Sequence, residues 1–184
     1  MKLPTAITAA MLGLTAMPAR AEIVESVGGG FASQHVAVVA ADRARVWDEL
    51  LHPEHWWSHT WSNDSANLQL DPQAGGCFCE TLPAEGDWPA GSVEHMRVVF
   101  VQPGRTLRMS GSLGPLQAEG LVGTLTVTLD EVDGGTRIGW TYVTGGQARF
   151  DPATLADVVD GVQAEFLGGL VDRLGGAVQD GADH

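Results

Sequence analysis

Three features of the sequence predict an α+β fold in which a curved antiparallel sheet of about seven strands wraps one long C-terminal helix. The middle of the chain alternates with period two: in "LVGTLTVTLDEV", Leu125, Val127 and Leu129 oppose Thr124, Thr126 and Thr128. The turn signals "PQAGG", "PGR" and "DGG" divide that region into hairpins. The period then becomes helical, with Leu155, Val158, Val159, Val162, Phe166, Leu170 and Leu174 on one stripe. A lone helix with an apolar stripe has to bury it against the concave face of the sheet, because nothing else is available to cover it.

The elements follow in order. Residues 1–21 read as a secretory leader: Lys2, an apolar run to Met17, Pro18, then the small-x-small pattern Ala19-Arg20-Ala21. Residues 22–30, ending in "VGGG", read as a flexible lead-in, and 31–175 as the single folded domain. "FASQHVAVVAA" has the β-branched content of a strand. Asp42 caps a helix over "RARVWDELL", and Pro53 opens a second short helix over "EHWWSH". Strands are then expected at "ANLQLD", "CFCETL", "SVEHMRVVFVQ", "TLRMSGSL", "LVGTLTVTLDEV" and "TRIGWTYVTGG". Asp151-Pro152 starts the long helix, in which Gly161, Gly168 and Gly169 each weaken helicity by about 1 kcal/mol relative to alanine. Residues 176–184 read as a disordered tail.

Composition excludes several functions. The chain carries a net charge of −13, which becomes −15 once Lys2 and Arg20 leave with the leader. Such a field repels phosphate backbones, so nucleic acid is not an expected partner. Lys2 is the only lysine, which excludes a lysine Schiff base or a phosphate-loop lysine from the mature chain. No later segment reaches the ~20 apolar residues of a membrane-spanning helix. The leader therefore implies a periplasmic or secreted protein. No spacing links serine, histidine and aspartate into a catalytic triad, and no cofactor motif is present.

Two local patterns bear on chemistry. "HPEHWWSHTWS", residues 52–62, crowds three histidines and three tryptophans together. His55 and His59 have i, i+4 spacing, but the expected helix exit at Ser58-His59-Thr60 and the lack of an HExxH frame argue against a metal pair there. Trp56 and Trp57 are expected to wedge the helices onto the sheet and to share in any cavity wall. Cys77 and Cys79 lie at i and i+2 on a strand, roughly 6–7 Å apart, near the limit for a bridge. Two reduced, half-buried thiols are the favoured reading, with a bulge-assisted disulfide or a metal role as alternatives.

The succession of elements resembles the SRPBCC superfamily, the START-related helix-grip fold shared with birch-pollen-type allergens and polyketide cyclases. "VWDELLHPEHWW", "LDPQAGGCFCE" and "VVFVQPGRTLRMSG" are similar to the branch related to activators of a chaperone ATPase. The resemblance covers residues 31–175 and implies a cavity between sheet and long helix that takes lipids, sterols or aromatic polyketides. It also implies that the aromatic of "CFCE" points inward, which places Phe78 and Glu80 inside and both cysteines outside.

Strand parity extends this to the next strand. Met96, Val98 and Phe100 are expected to face the helix, with Glu94 on the same side and His95, Arg97 and Val99 outward. The expected site therefore has an apolar wall of Trp56, Trp57, Phe78, Met96, Phe100, Trp140, Tyr142 and Phe166, with Glu80 or Glu94 as polar anchor. The leading expectation is an extracytoplasmic binding protein for a small hydrophobic molecule. An alternative is a cyclase- or hydratase-type enzyme using a cavity carboxylate, Glu80 or Glu94, or a histidine as acid–base catalyst. A second alternative is a metal-handling protein using Cys77, Cys79, His95 and His35 on a common outer face.

Overall fold

The structure is a computed structural model that describes residues 22–25 and 30–177. The expected leader, 1–21, and the tail beyond Ala177 lie outside the described residues. Strands β1 (Glu22–Glu25) and β2 (Phe31–Val39) precede helix α1 (Arg43–Leu50). Then come β3 (Leu68–Leu70), β4 (Cys77–Leu82), β5 (Gly91–Gln102), β6 (Thr106–Gly111), β7 (Gly120–Val132) and β8 (Gly135–Gln147). Helix α2 (Pro152–Arg173) closes the domain. The sheet is antiparallel in the order β1-β2-β8-β7-β6-β5-β4-β3. Six strands from β3 to β8 thus follow as consecutive hairpins, and the first long strand returns to pair with the last.

The helix-grip arrangement is as the sequence predicts, with three differences of detail. Residues 22–25 of the lead-in form an eighth strand, because β2 otherwise leaves one edge of backbone groups unpaired and Glu22–Glu25 pair along it. The second short helix shrinks to a single 3-10 turn, Pro53–His55, since Trp56 already leaves helical geometry. At the C-terminal end, the Gly176 amide still donates to the Val171 carbonyl, and Ala177 bridges Val39.

Both helix starts are fixed by short side chains. Asp42 accepts from the Arg45 amide at 2.8 Å, and Asp151 accepts from the Thr154 amide at 3.0 Å, each satisfying a donor that the first turn leaves open. Along α2 the buried positions are Ala156, Val159, Gln163, Phe166, Leu167, Leu170, Val171 and Leu174. Val158, expected on the stripe, is 60% exposed. The C-terminal half of α2 packs tightly because Gly169 lies against the backbone of Trp56, where any Cβ would meet the Trp56 carbonyl oxygen.

The three helix glycines should therefore respond in opposite senses. Gly169→Ala is expected to destabilise by about 1–3 kcal/mol through overpacking despite its gain in helix propensity. Gly161 and Gly168 face open space, so alanine at either should stabilise by up to about 1 kcal/mol. Urea unfolding midpoints of the three variants check this, and equal shifts for all three would contradict it.

A cavity between the sheet and the N-terminal half of helix α2

Two β-bulges decide what faces the helix. Phe78 pairs with Met96 but Cys79 pairs with Glu94, so β5 carries one extra residue, His95, at that point. His95 and Met96 both turn inward, with 2% and 0% of their surface exposed. The second bulge lies at Val99: Val98 pairs with Met109, then Phe100 with Arg108. Phe100 is thereby turned outward, 5.5 Å under the Arg108 guanidinium. Gly111 of β6 admits the first bulge, since a Cβ there would come within 2.8 Å of the His95 carbonyl oxygen.

These shifts correct several expectations. Glu94 is exposed on the outer face and pairs with Arg97, so it does not share an interior with Glu80. Phe100 is no part of an inner wall. His35 and His95 point inward while Cys77 and Cys79 point outward, so the four do not share a face. The cysteines, which flank the register shift on β4, are bonded to each other with Cα atoms 5.4 Å apart, which contradicts the reduced pair. Among the described residues no cluster of three metal-ligating side chains is present.

Glu80 and Phe78 are inside, as expected. Glu80 is fully buried, and the loop after the tryptophan pair holds it: its oxygens accept from the Trp61 amide at 3.0 Å and the Ser62 amide at 2.5 Å. A third bond comes from His95 Nε2, 2.9 Å from Glu80 Oε2. Burial pushes the Glu80 carboxyl upward, but the bonds from Ser62, the Trp61 amide and His95 outweigh it and hold the group below its ordinary range. Burial lowers the His95 imidazole more than Glu80 raises it, so the ring is neutral near pH 7. With Nε2 donating to Glu80, Nδ1 is the unprotonated acceptor of the ring.

Beside His95 lies a cavity of about 310 Å³. Tyr142 and His95 bound it on the sheet side, Leu113–Leu116 between β6 and β7 form one wall, and Trp57 and His59 another. Leu155, Val158, Val159, Val162, Gln163 and Phe166 of α2 close it from above. Exposed Phe150 and Val158 stand at its rim. Of the residues expected to form the wall, Trp57, Tyr142 and Phe166 touch the cavity. Trp56, Phe78 and Trp140 instead fill the far end, around a void of about 10 Å³. Met96 is buried in the core and does not line the cavity.

The boundary between filled and open ends is an aromatic stack. Trp57 lies flat on Phe166, ring centroids 3.3 Å apart, and meets Phe78 edge-on at 4.8 Å. Trp56 meets Trp140 edge-on at 6.0 Å. The indole nitrogens are satisfied by the Glu49 and His59 carbonyls and by Gln163. The stretch 52–62 is thus both a wedge and, through Trp57, a cavity wall, while its last two amides anchor Glu80.

His59, His95, Tyr142, Thr154 and Gln163 bring polar groups to the otherwise apolar lining. His95 offers Nδ1 as acceptor. Gln163, 1% exposed, must turn its oxygen to the Trp140 indole N–H at 2.9 Å, because indole only donates, which leaves its amide N–H groups as donors. The Tyr142 phenol is raised by burial to about 12, with a weaker opposing pull from the Leu113 backbone. That contact lacks hydrogen-bond geometry, and the hydroxyl has no partner among the described residues. The ring crosses Gly123, whose missing Cβ is what leaves room for it. No arginine lines the cavity.

A separate polar cluster joins β2 to α2. Ser33 Oγ donates to Asp160 at 2.6 Å, and His35 Nε2 lies 3.0 Å from both. In a relay the imidazole would stand between serine and carboxylate and use both nitrogens. Here one nitrogen meets both partners and serine bonds the carboxylate directly, so the cluster pins the helix and is not a triad.

Gln163 was legible in principle as the polar interruption in the apolar stripe of α2. The inward turn of His95 was not, because it depends on a bulge in the pairing of β5 with β4, which a period-two pattern does not encode.

The Glu80–His95 pair predicts the acid limb of stability. Glu80 titrates lower in the fold than its ordinary 4.5, so its contribution is complete above that value and is lost as pH falls through the folded value. His95 also titrates below its ordinary 6.5, so the unfolded chain takes up the proton first and stability falls below about 6.5. His52, raised mainly by its bond to the Asp48 carbonyl, acts in the opposite sense but is exposed and screened. Urea midpoints measured from pH 4 to 8 should rise with pH up to about 7; a flat profile would contradict the pair's environment.

Residues 31–175 match the polyketide cyclase/dehydrase and lipid transport family. No curated protein matches the chain in sequence. Among solved structures, an uncharacterised protein from Rhizobium leguminosarum is 15% identical with a TM-score of 0.56, covering 85% of this chain and 99% of its own. CalU16 from Micromonospora echinospora is 14% identical with a TM-score of 0.53, covering 84% and 86%. SA2116, a protein of unknown function from Staphylococcus aureus, is 11% identical with a TM-score of 0.57, covering 84% and 95%. These likenesses show a common fold. With a match over nearly all of the domain, the chain belongs to the polyketide cyclase/dehydrase and lipid transport family, within the SRPBCC superfamily.

Proposed function

We propose that this protein is an extracytoplasmic carrier of a small, neutral, largely apolar molecule, held between the sheet and the N-terminal half of α2. The observation that carries this reading is the cavity of about 310 Å³, whose lining is mostly apolar. Ligand pockets span about 300–1,000 Å³, so this one suits one or two fused rings or a short acyl chain better than a whole lipid. A carboxylate or phosphate would be buried there without a cationic partner, which is costly enough to favour an uncharged ligand. His95 would accept from a ligand hydroxyl, and Gln163 would donate to a carbonyl. The leader-like residues 1–21 and the Cys77–Cys79 bridge support an oxidising compartment outside the cytoplasm.

Native mass spectrometry of protein purified from the cells that make it tests this reading. The expected result is a single organic adduct, released on denaturation and bound one to one. Protein that carries no adduct, and also fails to bind the neutral dye N-phenyl-1-naphthylamine, would overturn it.

A further inference from the structure

We propose that the Cys77–Cys79 bridge is a thiol–disulfide exchange site for a low-molecular-weight thiol, with the Cys77 sulfur as the atom attacked and Cys79 as the leaving thiolate. The site lies on the outer face of β4, away from the cavity, and stands whether or not a ligand is carried there. Its basis is a bond with little to hold together. The two cysteines are two residues apart on one strand. That strand is already paired on both sides, with Gln69 opposite Cys79 in β3, and Arg97 and Glu94 opposite Cys77 and Cys79 in β5. From beneath, buried Phe78 and Glu80 fasten it, through the edge-on contact with Trp57 at 4.8 Å and the bonds from the Trp61 and Ser62 amides.

A disulfide stabilises mainly by restricting the unfolded chain, and the effect shrinks with the length of the loop it closes. Cys77 and Cys79 enclose only Phe78, so this contribution is near its minimum. Opening the bond therefore forfeits little folding energy. Both cysteines are half-buried on the solvent side, within reach of a small thiol. Exposed bridges of this kind are the ones that thiols open, whereas structural bridges resist.

The surroundings choose the sulfur. Exchange is an in-line displacement, so a thiolate approaches along the extension of the sulfur–sulfur axis. Beyond Cys77 lie Gly75 and Gly76, which carry no side chain, whereas exposed Thr81 stands beyond Cys79. Strand β3 flanks Cys79 with Gln69 but ends its pairing at Leu70, opposite Phe78. The Glu94 carboxylate lies 4.0 Å from the Cys77 sulfur and disfavours a second negative charge there, so the departing charge belongs on Cys79. Arg97, bonded to Glu94 and, at 3.0 Å, to the Gly75 carbonyl, tempers that carboxylate for the incoming thiolate.

The exchange balances with the thiol as its one co-reactant. The incoming thiolate bonds to the Cys77 sulfur, and the sulfur–sulfur electron pair leaves on Cys79. A second thiolate attacks the mixed disulfide at the first thiol's sulfur, and Cys77 departs with that electron pair. Two thiols are oxidised to one disulfide, the bridge is reduced by two electrons, and the two thiol protons end on Cys77 and Cys79. In an oxidising compartment the bridge rests closed and opens when such a thiol accumulates.

Glutathione is the probe. The full chain without its leader is held in about 10 mM reduced and about 0.1 mM oxidised glutathione, quenched with N-ethylmaleimide and weighed by mass spectrometry. Two maleimides per chain are expected, with the near-UV circular dichroism of the native fold retained. Protein quenched after brief exposure should carry glutathione on Cys77 and maleimide on Cys79. Glu94→Gln should speed opening about three-fold at low salt, and Arg97→Gln should slow it by a similar factor. Opening by way of unfolding would not give responses of opposite sign.

A bridge that stays closed in this buffer, or that opens only with loss of the native spectrum, is a structural staple and overturns the proposal. Glutathione found on Cys79 overturns the choice of sulfur. Equal rates in the two variants overturn the roles given to Glu94 and Arg97.

Discussion

Alanine at position 80 is expected to remove about 3–5 kcal/mol of stability, the largest loss among single changes near the cavity. Three donors converge on this carboxylate: the Trp61 amide, the Ser62 amide and His95 Nε2. Each orphaned donor costs about 1–3 kcal/mol, and entry of a water into the vacated space offsets part of the sum. The loop that carries Trp61 would also detach from β4, loosening the Trp57–Phe166 stack beside it. Glu94→Ala is the matched control: its carboxylate is exposed and paired only on the outer face, so its loss should stay within about 0.5 kcal/mol. Urea denaturation of the two variants separates these cases, and similar losses would show that Glu80 is not the buried anchor described above.

Phenylalanine at position 159 should abolish ligand binding while leaving the fold intact. Val159 is 7% exposed, sits on the cavity side of α2, and has open volume beyond its methyl groups. A benzyl side chain would occupy part of the roughly 310 Å³ without displacing a neighbour, so thermal stability should hold or rise as apolar surface is covered. The affinity for N-phenyl-1-naphthylamine should fall at least 100-fold, because the ring of the guest and the new ring compete for one space. Val143→Phe, on the exposed outer face of β8, should leave binding unchanged. Parallel losses in both variants would locate the dye on the surface.

Much of the fold was legible because it rests on local patterns. The alternation of Leu125, Val127 and Leu129 with threonines, the hairpin glycines, Asp42 and Asp151 at helix starts, and the stripe of α2 each encode their element within a few residues. The assignment of Phe78 and Glu80 to the interior followed from a family resemblance and holds. The mistakes cluster on β5, where two bulges reverse the parity of Glu94, His95 and Phe100. A strand sequence with period two cannot announce an extra residue, since the bulge is set by pairing with β4 and β6. Gly111, which admits the first bulge, lies on the neighbouring strand. The cysteine pair failed because an ideal strand holds the two Cα atoms roughly 6–7 Å apart, whereas on β4, beside the register shift, they are 5.4 Å apart. Pro115 and Leu116, in the cavity wall, belong to a linking segment with no periodic signal at all.

The central claim is that a guest molecule sits between β5, β8 and the first half of α2, and methyl-resolved NMR tests it most directly. With the leucine and valine methyls labelled, 2-tetralone or N-phenyl-1-naphthylamine should give intermolecular Overhauser contacts to Leu113, Leu116, Val159 and Val162. Leu129 and Val39, packed away from the cavity, should give none. Contacts confined to exposed methyls such as Val122 and Val143, with Val159 and Val162 silent, would contradict the account.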